Sequence, residues 1–444
     1  MNGASGHDHP IAPGRPLQSH PQYISPVTDA ARAVQRTYLV LTLLTTLAAS
    51  FIWGVNTLFL LDAGLSNTEA FAANAFFAVG QVIFEIPTGV VADTRGRRFS
   101  FILGATTLLI STLLYLVMWQ IQAPFIGWAL ASALLGLGFT FFSGATEAWL
   151  VDALTASGYT GELEAVFGRA QIVGGAAMLA GSVLGGIVAQ LTDLGMPYIV
   201  RAALLGVTVV VAWRFMREIG FTPAHEASPI KAVRTVLAGA VDGGLRNRPV
   251  RWLMLAAPFS VGVGFYAFYA LQPYLLELYG DPNAYSIAGL AAAIIAGTQM
   301  LGGLIVNRVR RLFRRRTDAL LTSGVVSGLA LMLLGVVPSF LLALALLATW
   351  ALMFAIEEPI RRAFLNGLIP SQQRATVLSF DSLMGSAGGV VIQPTLGRVA
   401  DVSGYAASYV VAGGIQLLAL PFIILARRER ASSDPTVVEA EPSP

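Results

Sequence analysis

The chain has 444 residues, of which 55% are apolar and only 12% charged, a balance far outside that of soluble globular domains. It is the composition of an integral membrane protein. The net charge of +3 is small for a chain of this length, and its cations fall in short loops between apolar runs, which reads as membrane topology and not nucleic-acid binding. The absence of cysteine excludes disulfide and thiol chemistry.

Residues 1–36 are rich in His, Pro, Gly and Ser and lack the apolar core of a signal peptide, so a disordered cytoplasmic tail is expected. His7, His9, His20 and His225 lie in tails or loops without ligand spacing, so neither a metal site nor a cofactor is expected. A bilayer core takes about 20 apolar residues per helix. Such runs fall at roughly 38–61, 70–92, 99–120, 124–149, 170–190, 198–216, 251–275, 285–306, 318–337, 340–358, 376–396 and 405–426. The polar segment 218–249 parts them into bundles at 37–217 and 250–428, and 429–444 reads as an acidic cytoplasmic tail. The expected fold is an all-α membrane protein, with twelve transmembrane helices in two pseudo-symmetric six-helix bundles.

Basic residues mark cytoplasmic loops. Arg36, Arg95, Arg97, Arg98, Arg169, Arg308, Arg374 and Arg427 all fall on the side of the N-terminus, and only Arg201 and Arg398 break the rule. Both termini are therefore expected in the cytoplasm, with the chain in the cell's inner (plasma) membrane.

Between spans two and three stands Gly89-Val-Val-Ala-Asp93-Thr-Arg95-Gly96-Arg97-Arg98, repeated in degenerate form as Gly303-Leu-Ile-Val-Asn307-Arg308-Val-Arg310-Arg311. The first copy resembles the loop 2–3 signature of the major facilitator superfamily of secondary transporters. Gly89, one turn before Asp93, would let a neighbouring helix approach closely. The resemblance implies that Asp93 faces the N-terminus of span eleven near Arg374 and that Arg97 pairs with Asp152. Such a cluster would lock the cytoplasmic side in one state and break in the other. A simpler loop, in which the arginines only anchor the membrane face, fits the same residues.

Ionisable groups inside apolar helices are costly and so are functional candidates. Glu85 lies eight residues before Asp93, about 12 Å deeper along a helix, and reads as a buried carboxylate that takes up and releases protons. Glu147 joins Thr140, Ser143 and Gly144 in a polar stripe on span four and is a second proton-coupling candidate. The resemblance places spans one, four, seven and ten around a substrate cavity. Trp53, Asn56, Thr140, Ser143, Phe265, Tyr269, Gln272, Trp350, Phe354 and Glu357 are then the substrate-facing candidates. An aromatic cavity with few polar groups suits amphiphilic organic molecules. Glu357 and Glu358 also stand four residues before Arg361 and Arg362 and could pair along the helix. Asp381 could meet Arg374 or a helix end.

The chain departs from the drug–proton antiporter pattern, with Ser132 in place of an Arg in span four and Ser182 in place of a Pro in span five. No phosphate-binding loop, metal cluster or nucleophile triad is present, so neither an enzyme nor a nucleotide-driven pump is expected. The expectation is a proton-coupled exporter of small amphiphilic compounds, monomeric as the family implies. The alternatives are a proton symporter that takes up a metabolite or sugar and, from another class, a non-transporting membrane sensor.

Overall fold

The computed structural model describes residues 28–142, 144–223, 240–369 and 374–436, and the described residues are almost entirely helical. Among the described residues ten helices are long and apolar enough to cross a bilayer, and the twelve crossings follow because span one, broken into shorter pieces, is not among them and the last of the ten holds two crossings. Span one is broken into Asp29–Ser50 and Asn56–Asp62. The last apolar segment, Val377–Arg428, has 52 residues, about 78 Å of helix, which is more than twice a bilayer core. It turns back at Gly404, whose φ of 82° and ψ of 166° lie outside the helical region, and so forms span eleven at 374–403 and span twelve at 405–428.

The remaining spans are Asn67–Arg95, Arg97–Gln120, the broken pair Phe125–Thr140 and Ala145–Ala156, Leu163–Leu191 and Met196–Phe215 in the first bundle. Arg248–Tyr279, Tyr285–Arg310, Arg316–Leu334 and Phe340–Asn366 are spans seven to ten of the second. The loops turn where the sequence supplies local caps. Ser66 and Glu69 form a reciprocal capping box at the start of span two. Gly96, with φ of 108°, ends span two in a conformation that L side chains rarely adopt, so span three starts only two residues after Arg95.

Three boundaries differ from expectation. The first helix begins at Asp29, inside the region expected to be disordered, because Thr28 Oγ1 accepts the Ala31 N–H at 3.1 Å. The polar segment 218–249, expected to part the bundles, also holds regular structure: among the described residues its part Ala240–Leu245 is a π-helical turn. The acidic tail is folded as far as Thr436: the buried Asp434 caps span nine by accepting from Thr317 N at 2.9 Å and Thr317 Oγ1 at 3.0 Å.

Packing within the membrane separates a lipid face from a protein face. Large apolar side chains such as Ile172, Leu304 and Leu341 are more than 70% exposed on their helices, as expected where the neighbour is lipid. Inside, spans one, five and eight cross closely enough to exclude side chains. A Cβ on Gly289 would lie 2.6 Å from Ser182 O, and one on Gly54 would lie 2.6 Å from Gly289 Cα. This contact ties the first bundle to the second. Gly289→Ala should therefore cost about 1–3 kcal/mol of stability by overpacking. Gly206→Ala, whose Cβ would meet nothing within 4 Å, should be neutral. Thermal unfolding of the two variants in detergent checks the difference; equal melting temperatures would contradict the tight crossing.

Candidate functional site

The break in span one builds the centre of the molecule. Residues 51–55 are a turn between two helices, which leaves the first N–H groups of Asn56–Asp62 without partners inside the helix. Gln272 of span seven supplies one: its Oε1 accepts from Thr57 N at 2.8 Å, while its Nε2 donates to Trp53 O at 2.7 Å. Thr57 Oγ1 donates to Tyr269 O at 2.9 Å. Gln272, expected to face substrate, is fully buried and instead joins the two bundles.

Beside this junction lies a cavity of about 430 Å³ walled by both bundles. Trp53, Asn56, Phe265, Tyr269, Trp350 and Phe354 line it as expected. Asn56 is held in a network: it donates to Asn74 Oδ1 at 3.0 Å and accepts from Tyr198 OH at 2.9 Å. Thr140 is not at the cavity; it is buried and donates to Leu137 O of its own helix. Glu357 is also absent from the wall and is buried toward Ser260 of span seven. Ser143 lies outside the described residues.

The charged residue on the cavity wall is one that the candidate set omits. Arg201 of span six is 3% exposed, lines the central cavity, and donates from Nε to Thr112 Oγ1 at 3.1 Å. Its signal was present in the sequence as a cation that breaks the charge rule inside an apolar run. Ser132, standing where the antiporter pattern has Arg, is bonded to Tyr115 at 2.5 Å, and Tyr115 is one turn of span three away from Thr112.

Two further pockets flank the cavity. One, of about 530 Å³, is walled by Glu85 of span two, Glu358 and Arg362 of span ten and Asp381 of span eleven. Glu85 is half-buried there, not enclosed among apolar side chains, because charged residues of the other bundle share its pocket. Arg362 pairs with Glu358 along the helix as expected. Arg361 does not pair with Glu357: it crosses to Asp381 in a two-pronged ion pair and donates to Leu253 O at 3.1 Å, so Asp381 serves span ten and not Arg374. The other pocket lies within the first bundle, is about 430 Å³, and is lined by Glu147, Gly144, Tyr38 and Arg201. Glu147 sits in the first turn after the break in span four, where Gly144 takes a left-handed φ of 67°.

The arginine-rich loop is arranged differently from expectation. Arg97 closes on Asp93, four residues earlier, at 2.5 Å and stacks over Phe221 at 5.9 Å. It forms no ion pair with Asp152 among the described residues. The segment after span six intervenes: a Cβ on Gly220 would lie 2.6 Å from Asp152 O, and Trp149 donates to Arg217 O at 2.7 Å. Glu218 of that segment accepts from Arg98 N at 2.8 Å, and the Arg98 guanidinium donates to Trp213 O at 2.6 Å. Arg95 ends span two as its terminal basic residue. Among the described residues no atom lies within 4 Å of a Cβ built on Gly89, so none of them makes the close helix approach expected there.

At the opposite face the bundles meet. Asp401 of span eleven accepts from Asn67 N, Thr68 N and Thr68 Oγ1 at 2.9, 2.9 and 2.5 Å. It caps the N-terminus of span two from the other bundle. Tyr405 OH donates to Asn67 Oδ1. Sequence reading missed Asp401, whose only local signal is an acid at the end of an apolar run.

The sequence profile of the Major Facilitator Superfamily matches residues 38–356. An uncharacterized MFS-type transporter of Methanocaldococcus jannaschii is 21% identical over 371 residues, covering 83% of this chain and 92% of that protein. Among solved structures, a mutant of the nucleoside transporter NupG is similar with a TM-score of 0.76 at 12% identity, covering 88% of this chain and 99% of that one. A bacterial homolog of the lysosomal transporter Spinster, described as inward-facing and unoccupied, gives 0.69 at 16% identity over 93% and 100% of the two chains. At these identities the solved structures speak for the fold alone. Broken spans around a cavity between two six-helix bundles, together with the profile match over most of the chain, make this protein a member of the Major Facilitator Superfamily, and so a secondary transporter.

Proposed function

We propose that the chain is a proton-coupled exporter of small amphiphilic organic compounds, working by alternating access as a monomer in the inner membrane. The observation that carries this reading is an aromatic cavity walled by both bundles, with a carboxylate, Glu85, in a pocket leading from it toward the arginine-rich face. Trp53, Phe265, Trp350 and Phe354 offer an apolar body-binding surface. Asp401 and Gln272 seal the opposite face. With the arginine-rich face cytoplasmic, this arrangement is the inward-facing state.

Glu85 is the proton carrier in this reading. It faces Glu358, Arg362 and Asp381 across the interface, so closing the arginine-rich side would bring like and unlike charges together around it. Protonation relieves the repulsion from the two acids, and deprotonation restores attraction to Arg362. The proton state is thereby coupled to which side is open. Glu147, exposed on the pocket within the first bundle, contacts substrate or its path. The loop holding Gly89, Asp93, Arg95, Gly96, Arg97 and Arg98, together with Asp152 of span four, is the gate that re-forms when the cytoplasmic side closes, with Arg97 moving from Asp93 toward Asp152.

Proteoliposomes with an imposed pH gradient test the reading, with a lumenal pH dye following proton flux as amphiphilic compounds are added. Export coupled to protons moves compound and proton in opposite directions; movement in the same direction would establish uptake instead. Glu85→Gln should reduce pH-driven flux to background while retaining downhill exchange. Glu147→Gln should weaken affinity and keep coupling. The reverse outcome would exchange the two roles, and normal coupling in both variants would contradict a proton mechanism through either acid.

Topology is checked separately. Reporter fusions after Arg430 and at Asp281 should report cytoplasm and exterior respectively, as the arginine distribution requires. An external reporter after Arg430 would invert the assignment of the open face.

A further inference from the structure

We propose that the central cavity selects compounds bearing a carboxylate, and that Arg201 is its anchor. The inference rests on the transport reading above and adds the chemical class of its substrate. An isolated cation within a membrane bundle is costly unless it is paired or hydrogen-bonded. Arg201 is buried to 3% exposure, yet among the described residues it forms no ion pair and its one hydrogen bond is from Nε to Thr112. The guanidinium carries five N–H donors in a planar fork that matches a carboxylate with two parallel bonds. With Nε committed to Thr112, the terminal nitrogens are left for the cavity that Arg201 lines.

The surroundings favour an anion of mixed character. Arg201 is the one charged side chain among the residues lining this cavity, and Glu147 shares only the adjoining pocket with it, so a cationic substrate in the cavity would be repelled. Trp53, Phe265, Trp350 and Phe354 provide apolar and aromatic walls that suit the body of an amphiphile. Arg201 also lines the pocket within the first bundle. It therefore stands where the two spaces meet, and an anion moving between them would remain within reach of its charge. The cavity volume of about 430 Å³ lies within the range of pockets for small organic molecules. A purely structural Arg201, serving only to hold span six to span three, predicts no preference between an anion and its neutral isostere.

The pair 4-butylbenzoate and 4-butylbenzamide separates these readings, because the two share shape and differ in charge. Calorimetric titration of the full-length protein in nanodiscs should show the benzoate binding about 10- to 100-fold more tightly. Arg201→Gln should bring the two affinities together while keeping benzamide binding and the melting temperature. Arg201→Lys should retain a smaller preference, since an ammonium cannot make the two-pronged contact. If Arg201→Gln fails to fold, the reduced but remaining preference in Arg201→Lys decides the matter. Equal binding of the two compounds to the unaltered protein, binding of neither, or an undiminished preference in the variants would overturn the proposal. Flux in liposomes is scored apart. A working carrier without carboxylate preference overturns the anion assignment alone, and a benzoate preference in a protein without flux overturns the transport reading alone.

Discussion

Backbone N–H groups at helix starts need partners, and lipid offers none. In this protein two such ends on the first bundle are satisfied by side chains of the second. Gln272 reaches Thr57 at the break in span one, and Asp401 reaches Asn67 and Thr68 at the start of span two. The bundles are thus joined at one face by groups whose partners water could replace. Separating the halves there exchanges protein hydrogen bonds for hydration, which keeps two arrangements close in free energy. An apolar seal of the same area would have to expose its surface to water on opening.

The glycine crossing of spans one, five and eight complements this polar seam. Gly289 and Gly54 allow backbone contact between the bundles, a fulcrum that needs shape and no particular polarity. Toward the arginine-rich face the character changes. No described residue comes within 4 Å of a Cβ on Gly89, Asp93 is satisfied by Arg97 of its own loop, and charged groups of both bundles line a pocket. Around the fulcrum, then, caps join the bundles on one side and a pocket lined by charged groups of both lies on the other. The buried pair of Arg361 and Asp381, with Leu253 O, binds spans seven, ten and eleven together, so the second bundle can move as a unit.

Much of this was legible in the sequence because lipid imposes a simple rule: about 20 apolar residues per crossing. That rule found the spans, including those hidden by the break after Ser50 and the turn at Gly404. The cavity aromatics Trp53, Phe265, Trp350 and Phe354 were legible because helical spacing and the family resemblance point the same faces inward. Partnerships were harder to read. Arg361 has an acid four residues before it, yet it chose Asp381, since a buried guanidinium gains more from a two-pronged carboxylate than from a neighbour on its own helix. Arg97 pairs locally where Gly220 stands against Asp152 and Phe221 lies under the Arg97 guanidinium, and a linker's path leaves no trace in periodicity. Arg201 and Asp401 escaped for a related reason. Each owes its role to a group distant in sequence, a cavity in one case and a helix end in the other.

The central claim is that side chains of the second bundle, capping helix ends of the first, hold the opposite face shut. The native chain contains no cysteine, so a single Phe268→Cys on the cavity wall reports access without background. Its labelling by a membrane-impermeant maleimide applied from the opposite face should be slow in the otherwise unaltered protein. It should rise severalfold when Asp401→Ala removes the cap, while labelling from the arginine-rich face falls. Unchanged labelling from both faces in the Asp401→Ala protein would contradict the account.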